Sequence, residues 1–255
     1  MKKTHLYYFL LLIAGMFSCG GHKKILIDPK FHNDKEIYQM AQDFMKKKDY
    51  DKAREAYRTI FESFPQSEYR IPSKLGIADS YFSENSEANW LLAYQEYQDF
   101  ISLFPFSPKA CFAQLRMGQC YLRMSEKPDR DQTNTKKAAE EFRKVVDNYP
   151  NCEQYKDAYD DLLQAYGRLA EHEYNIGFYY HRTNHNGAAV DRIKELLKTY
   201  PDSVHQPKHY FTLAQSLEKL EQFPESCTYY NTVIEKWPQS EFATKAKEAR
   251  ARVCK

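Results

Sequence analysis

The sequence predicts an all-α protein, a superhelical array of five helix pairs of one repeated type, closed by a C-terminal capping helix. Three observations predict it. Glycine is scarce, 8 in 255 residues, and aromatic residues reach 15%, with little of the alternating β-branched pattern that strands need. An aromatic residue followed by proline recurs at Phe64-Pro65, Phe104-Pro105, Tyr149-Pro150, Tyr200-Pro201 and Trp237-Pro238. The intervals of 40, 45, 51 and 37 residues sit at or above the 34-residue period of the tetratricopeptide repeat.

The first element is a leader. Residues 1–18 begin with Lys2 and Lys3, carry a run of 12 mostly apolar residues from Leu6 to Phe17, and end before Ser18-Cys19-Gly20. That run is too short to span a bilayer as a helix. It resembles a bacterial lipoprotein signal, with Cys19 as the lipidated residue; the alternative is a general signal peptide with an incidental cysteine. Several acyl chains would anchor the protein stably. Residues 19–34, with Gly20, Gly21, Pro29 and mixed charge, read as a flexible tether. No later apolar run is long enough to cross a membrane.

The repeats follow in order. The first places Ala41 and Phe44 on one helix, Tyr50 at the turn, and Ala53, Tyr57 and Ile60 on the second. Small residues let paired helices approach, and the larger ones fill the groove against the next repeat. The second copy uses Ala78, Tyr81, Ala93, Tyr97 and Phe100; the third uses Gly118, Tyr121, Ala138, Phe142 and Val145. A long helical pattern from about Glu153 to Arg182 leads into the fourth, which uses Gly177, Tyr180, Ala189, Ile193 and Leu196. It is read as one rod, against two helices broken near Gly167 or Gly177. The fifth copy uses Ala214, Leu217, Ser226, Tyr230 and Val233, and Glu241 to Val253 is the polar, alanine-rich cap. Repeats 1–2 thus occupy 35–105, and repeats 3–5 with the cap occupy 106–255.

Charge and motifs bound the function. Loss of Lys2 and Lys3 with the leader lowers the 37 basic residues by two, to match the 35 acidic ones. A neutral chain has no global reason to bind nucleic acid. No metalloprotease, phosphate-loop or nucleophile-elbow motif is present, and the carboxylates are scattered on polar helix faces. The chain reads as a binding scaffold, not an enzyme, with no cofactor and no catalytic residue. The pairs His181/His185 and His205/His209 lack a third ligand, so no metal site is expected. Beyond Cys19 five cysteines remain, Cys111, Cys120, Cys152, Cys227 and Cys254. Their odd number and the lack of a C-x-x-C pair favour buried cysteines acting as small apolar residues over a disulfide framework.

Two segments are more specific than the repeat pattern: Asp129-Arg130-Asp131-Gln132-Thr133, and Leu169-Ala170-Glu171-His172-Glu173-Tyr174-Asn175-Ile176-Gly177-Phe178-Tyr179-Tyr180. With the leader and five repeats, they resemble the BamD family, the lipoproteins of the outer-membrane β-barrel assembly machinery, across about Ile37 to Ser240. The family's Arg-Gly after the Tyr-Tyr helix is replaced here by Arg182-Thr183-Asn184-His185-Asn186-Gly187. The resemblance implies membership of an envelope complex, and Gly20-Gly21-His22-Lys23-Lys24, with no acidic cluster after the cysteine, favours the periplasmic face of the outer membrane. The partners would be the POTRA domains of BamA, other lipoproteins of that complex, and unfolded β-barrel proteins. It implies Arg192 and the loop residues Asp129, Arg130, Asp131 and Gln132 for the BamA contact. It also implies a substrate groove in repeats 1–2, where Tyr38, Phe44 and Tyr81 are the candidate residues. A different tetratricopeptide lipoprotein that organises peptidoglycan or a secretion system shares this outline. A helical-repeat carbohydrate-uptake lipoprotein fits less well, because the repeats are regular throughout.

Overall fold

The computed structural model describes residues 27–30 and 32–254; the leader and Cys19 lie outside the described residues. Among these, eleven α-helices follow one another: α1 (Asp34–Lys46), α2 (Tyr50–Ser63), α3 (Arg70–Ser83), α4 (Glu87–Leu103), α5 (Ala110–Arg123), α6 (Thr133–Asn148), α7 (Tyr155–Arg182), α8 (Asn186–Thr199), α9 (Pro207–Lys219), α10 (Phe223–Lys236) and α11 (Glu241–Val253). Each helix packs chiefly on the one before it and the one after it, as in a stack where only neighbours touch.

Local chemistry sets the ends. Asn33 and Glu36 form a capping box on α1, with Asn33 Oδ1 accepting the Glu36 N–H at 2.9 Å, which satisfies donors the first turn leaves orphaned. The five aromatic stops are the residues that end α2, α4, α6, α8 and α10. Each ring folds back on the core of its own pair, and the following proline cannot continue the helix. In the turns of repeats 1, 4 and 5, Lys48, Asn184 and Glu221 take φ near +60°. The divergent Asn184 turn therefore has the same geometry as the other two. Ile27, inside the stretch assigned to the tether, is buried in the first core cluster beside Ile37 and Tyr57.

The core is a series of clusters, several of which straddle two repeats. Ile77 of repeat 2 joins Tyr57 and Ile60 of repeat 1, and Met117 and Cys120 of repeat 3 join Tyr97 and Phe100 of repeat 2. Two buried tyrosines at the same repeat position keep a polar partner: Tyr97 donates to Asp79, and Tyr230 donates to Glu218 at 2.7 Å. Much of the aromatic content is therefore repeat core, and these two hydroxyls are satisfied there. α7 is one unbroken helix of 28 residues, about 42 Å long at 1.5 Å per residue.

The cysteines differ from expectation. Cys111 bridges to Cys152 and Cys227 to Cys254, with Cα atoms 6.5 and 5.8 Å apart; only Cys120 is the buried small residue the sequence suggested. Burial pushes its thiol up to about 12. The stacking of helix pairs brings together cysteines 41 and 27 residues apart, and no local spacing reveals that.

The histidine pairs are built into the fold. His205 contacts the Tyr210 hydroxyl at 3.0 Å and the Tyr200 carbonyl at 2.8 Å. His209 is fully buried and accepts the Gln206 N–H on Nδ1 at 3.2 Å. Burial, reinforced by Lys208 and His205, pushes its pKa from 6.5 to about 3. The unfolded chain therefore takes up this proton first. The stabilisation is complete above pH 6.5 and is lost as pH falls from there towards 3. Acidification from pH 7 to 5 is expected to remove about 2 kcal/mol through this residue. Urea midpoints at the two pH values should converge in His209→Gln; an equal shift in variant and wild type would refute the assignment.

Candidate functional site

The two specific segments, about 40 residues apart in the chain, meet in the fold. The loop 127–132 closes on itself through Gln132, which is 4% exposed. Its Nε2 donates to the carbonyls of Lys127, Arg130 and Asp131 at 2.8, 3.1 and 3.3 Å, and its Oε1 accepts from Thr135 at 2.8 Å. Asp131 accepts from the Thr133 N–H and hydroxyl, both at 3.0 Å. Those bonds hold its carboxyl below the usual range, because they favour the charged form. From α7, His172 donates through Nδ1 to the Pro128 carbonyl at 2.7 Å.

Three consecutive residues of α7 reach three neighbours, as side chains 100° apart on a helix do. Glu171 pairs with Lys208 of α9 at 2.6 Å, His172 holds the loop, and Glu173 pairs with Arg192 of α8 at 3.0 Å. Gly177, one turn after Glu173, allows this approach: a Cβ there would lie 2.8 Å from Ile193 and 3.4 Å from the Arg192 Cβ. Near its C-terminal end α7 exposes Tyr179, 64% accessible, and Phe178. The result is a continuous surface of loop, α7 and α8, fixed by polar contacts and fringed by exposed aromatics. Such a surface can bind another protein.

The predicted residues take different places in it. Arg192 is exposed, with the intrachain partner Glu173 rather than the adjacent Asp191 or Glu195. Asp129, Arg130 and Asp131 are exposed on the loop, whereas Gln132 is the buried group that shapes it. In the N-terminal half, Tyr38, Phe44 and Tyr81 all meet the first core cluster, in different settings. Tyr38 stacks on Tyr69 at 4.8 Å and lines a pocket of about 270 Å³ with Tyr57, Leu75, Asp79, Phe100 and Lys109. Phe44 is 8% exposed in the first cluster. Tyr81 lies under the Arg54 guanidinium at 4.3 Å and accepts from Arg58 at 3.0 Å. Sequence reasoning passed over Tyr69, Asp79, Lys109 and Glu173. Glu173 stood inside the quoted helix motif; the others come from helix starts or polar faces, where periodicity carries no signal.

Among the described residues, no three histidine, cysteine or carboxylate side chains gather as a metal site, and no helix is long and apolar enough to cross a membrane. Stacked helix pairs with a polar, aromatic-fringed surface define a tetratricopeptide-repeat interaction scaffold. The chain belongs to the YfiO family of outer membrane lipoproteins, whose model matches residues 31–222; a tetratricopeptide-repeat model matches residues 210–240. Similar proteins bear the name outer membrane protein assembly factor BamD. That of Caulobacter vibrioides is 27% identical over 208 residues, covering 81% of this chain and 67% of the relative. That of Rickettsia prowazekii is 26% identical over 247 residues, covering 95% of each. A solved structure, the TPR2AB-domain:pHSP90 complex of yeast Sti1, is similar at 20% identity with a TM-score of 0.45, covering 86% of this chain and 84% of its own.

Proposed function

We propose that the chain is a periplasm-facing, lipid-anchored assembly factor for outer-membrane β-barrel proteins, acting by presentation and support without covalent catalysis. In this reading Cys19 carries the lipid. Repeats 3–5 and the cap, 106–255, hold the POTRA domains of BamA, and repeats 1–2, 35–105, meet unfolded barrel proteins. The observation that carries it is the junction of the two most specific segments, loop 127–132 and α7, beside Arg192. A family match over residues 31–222 supports the same reading. The Tyr38 pocket, with Lys109 in its lining, has the size for one aromatic side chain and a cation for a terminal carboxylate. Crosslinking of a barrel C-terminal peptide to repeats 4 and 5 alone would reject this half of the reading.

Arg192 provides the main test. Its side chain is 48% accessible and its pair with Glu173 is exposed, so the pair adds little to stability, under about 1 kcal/mol. Glu173 engages only Nη1, which leaves the rest of the planar fork to meet a carboxylate of a second chain. Breaking one side of a desolvated interface pair costs roughly 2–5 kcal/mol. Arg192→Glu should therefore weaken recovery of BamA from solubilised membranes by about thirtyfold or more, with melting temperature nearly unchanged. Wild-type recovery by a folded Arg192→Glu protein would sink the contact. In the same fractionation, Cys19→Ala should leave the washed membrane; retention there would reject the anchor.

A further inference from the structure

We propose that an open trough across α3, α5 and α7 is a docking site for an extended acidic peptide of a partner protein, gripped by Arg116, Arg123 and Arg168. The trough holds about 540 Å³ and is floored by Phe82 of α3. Arg116 and Arg123 stand two turns apart on one face of α5, and Arg168 comes from α7. This is the line of first helices of repeats 2, 3 and 4, where a chain can cross several repeats in one pass.

The arginines are positioned and make no ion pair, although Arg116 stabilises the charged form of the Asp79 carboxyl from a distance. Arg116 lies over the rings of Phe82 and Phe112 at 4.5 and 4.9 Å, and Arg123 over Phe82 at 3.8 Å. Arg123 also donates to the Phe82 carbonyl at 2.9 Å. Stacking on rings holds guanidinium forks in fixed planes. The arginine ion pairs among the described residues belong to Arg54, Arg58, Arg130, Arg192 and Arg252, and to none of these three. Arg116 Nε is buried without a hydrogen-bond partner, and its NH1 reaches only the neutral Gln119 at 3.1 Å. An unsatisfied buried donor on a cation is costly, and a carboxylate paired with the accessible end of the same guanidinium offsets part of that cost.

The lining names the occupant. Asp161 is the only carboxylate in it, and its Oδ2 already accepts from Gln119 at 2.9 Å. The trough therefore keeps an excess of positive charge. Planar forks take carboxylates in bidentate fashion. In an extended peptide, side chains two residues apart emerge on one face about 7 Å from each other, which suits cations carried by successive helices. Gln164 and Ser125 line the same space and offer amide and hydroxyl groups to a peptide backbone. The trough is separate from the Arg192–Glu173 pair, and the inference does not rest on the BamA reading.

The test uses the full mature chain and a fluorescein-labelled hexaglutamate peptide, read by fluorescence anisotropy at low salt. Saturable binding is expected, with no binding of hexalysine. It should weaken at least about tenfold in Arg168→Gln and in Arg116→Gln and persist in Arg192→Gln. Among the described residues Arg168 makes no hydrogen bond or ion pair, so Arg168→Gln should keep the wild-type melting curve. This separates a binding role from the ring stacking that Arg116 and Arg123 also provide. Absence of saturable binding, or equal affinity in folded Arg168→Gln, overturns the proposal. So does Arg168-dependent binding to phosphatidylglycerol vesicles without binding of hexaglutamate, which would assign the arginines to lipid phosphate.

Discussion

Gly118→Ala is expected to destabilise the protein in the presence of Phe142 and to be tolerated once that ring is trimmed. On an isolated helix the exchange of glycine for alanine gains about 1 kcal/mol. Here a Cβ at Gly118 would sit 2.5 Å from Phe142 Cδ1 and 3.0 Å from its Cζ. Phe142 is fully buried among Cys111, Leu115, Ala138, Val145 and Leu162, so the ring has no free space to retreat into. Forcing extra carbon into such packing costs roughly 1–3 kcal/mol. Gly118→Val should approach the upper end, and Phe142→Ala should cost about 3–5 kcal/mol through the cavity it leaves. In a Phe142→Leu background, Gly118→Ala should lose most of its penalty. That gives a coupling of about 1 kcal/mol or more in the double-mutant cycle. Urea unfolding of the four proteins measures it. A rise in stability for Gly118→Ala alone, as propensity predicts, would show that α5 and α6 are not in close contact at this point.

The same pair shows what a sequence can reveal of this fold. Gly118 and Phe142 were both legible as repeat positions, because small and large residues recur at helical spacing. Local regularity also revealed the aromatic stops and the cap from Glu241 to Val253, which α11 spans as read. What periodicity does not encode is which side chain faces which across 20 to 40 residues. Arg192 was singled out, but its partner Glu173 lies on a different helix, while the nearer Asp191 and Glu195 do not pair with it. Gln132 was legible as part of a motif, yet its role is internal: it ties three carbonyls of its own loop. Tyr38, Phe44 and Tyr81 all meet the first core cluster, but helix rotation turns their outer faces to a pocket edge, the core itself and an arginine platform. The trough arginines were invisible for a related reason: on α5 and α7 they read as ordinary polar faces.

Reduction of the Cys227–Cys254 bridge is expected to release α11 while the earlier repeats stay folded. The cap buries little: Ala243, Ala246 and Ala249 face inward, joined by half-buried Phe242 against Phe211. Three methyl groups contribute about 2–3 kcal/mol at roughly 0.8 kcal/mol each. A helix of 13 residues is marginal in water by itself, since nucleation is costly. Of its exposed ion pairs, Arg252 with Glu218 at 2.7 Å ties it to α9, and such pairs add under about 1 kcal/mol. The bridge closes a loop of 27 residues, which in the chain-entropy account contributes about 3.5 kcal/mol. It is therefore the largest single term holding the cap. In Cys254→Ser, or after mild reduction, amides of 241–253 should exchange tens to hundreds of times faster. Loss of the cap uncovers Tyr230 and Phe211, so α9 and α10 should soften next. Residues 34–148 should keep their protection, because the contacts of α11 are with α9 and α10, and stability in such arrays passes between adjacent repeats. Unchanged exchange in 241–253 after verified reduction would mean that alanine packing alone secures the end of the array.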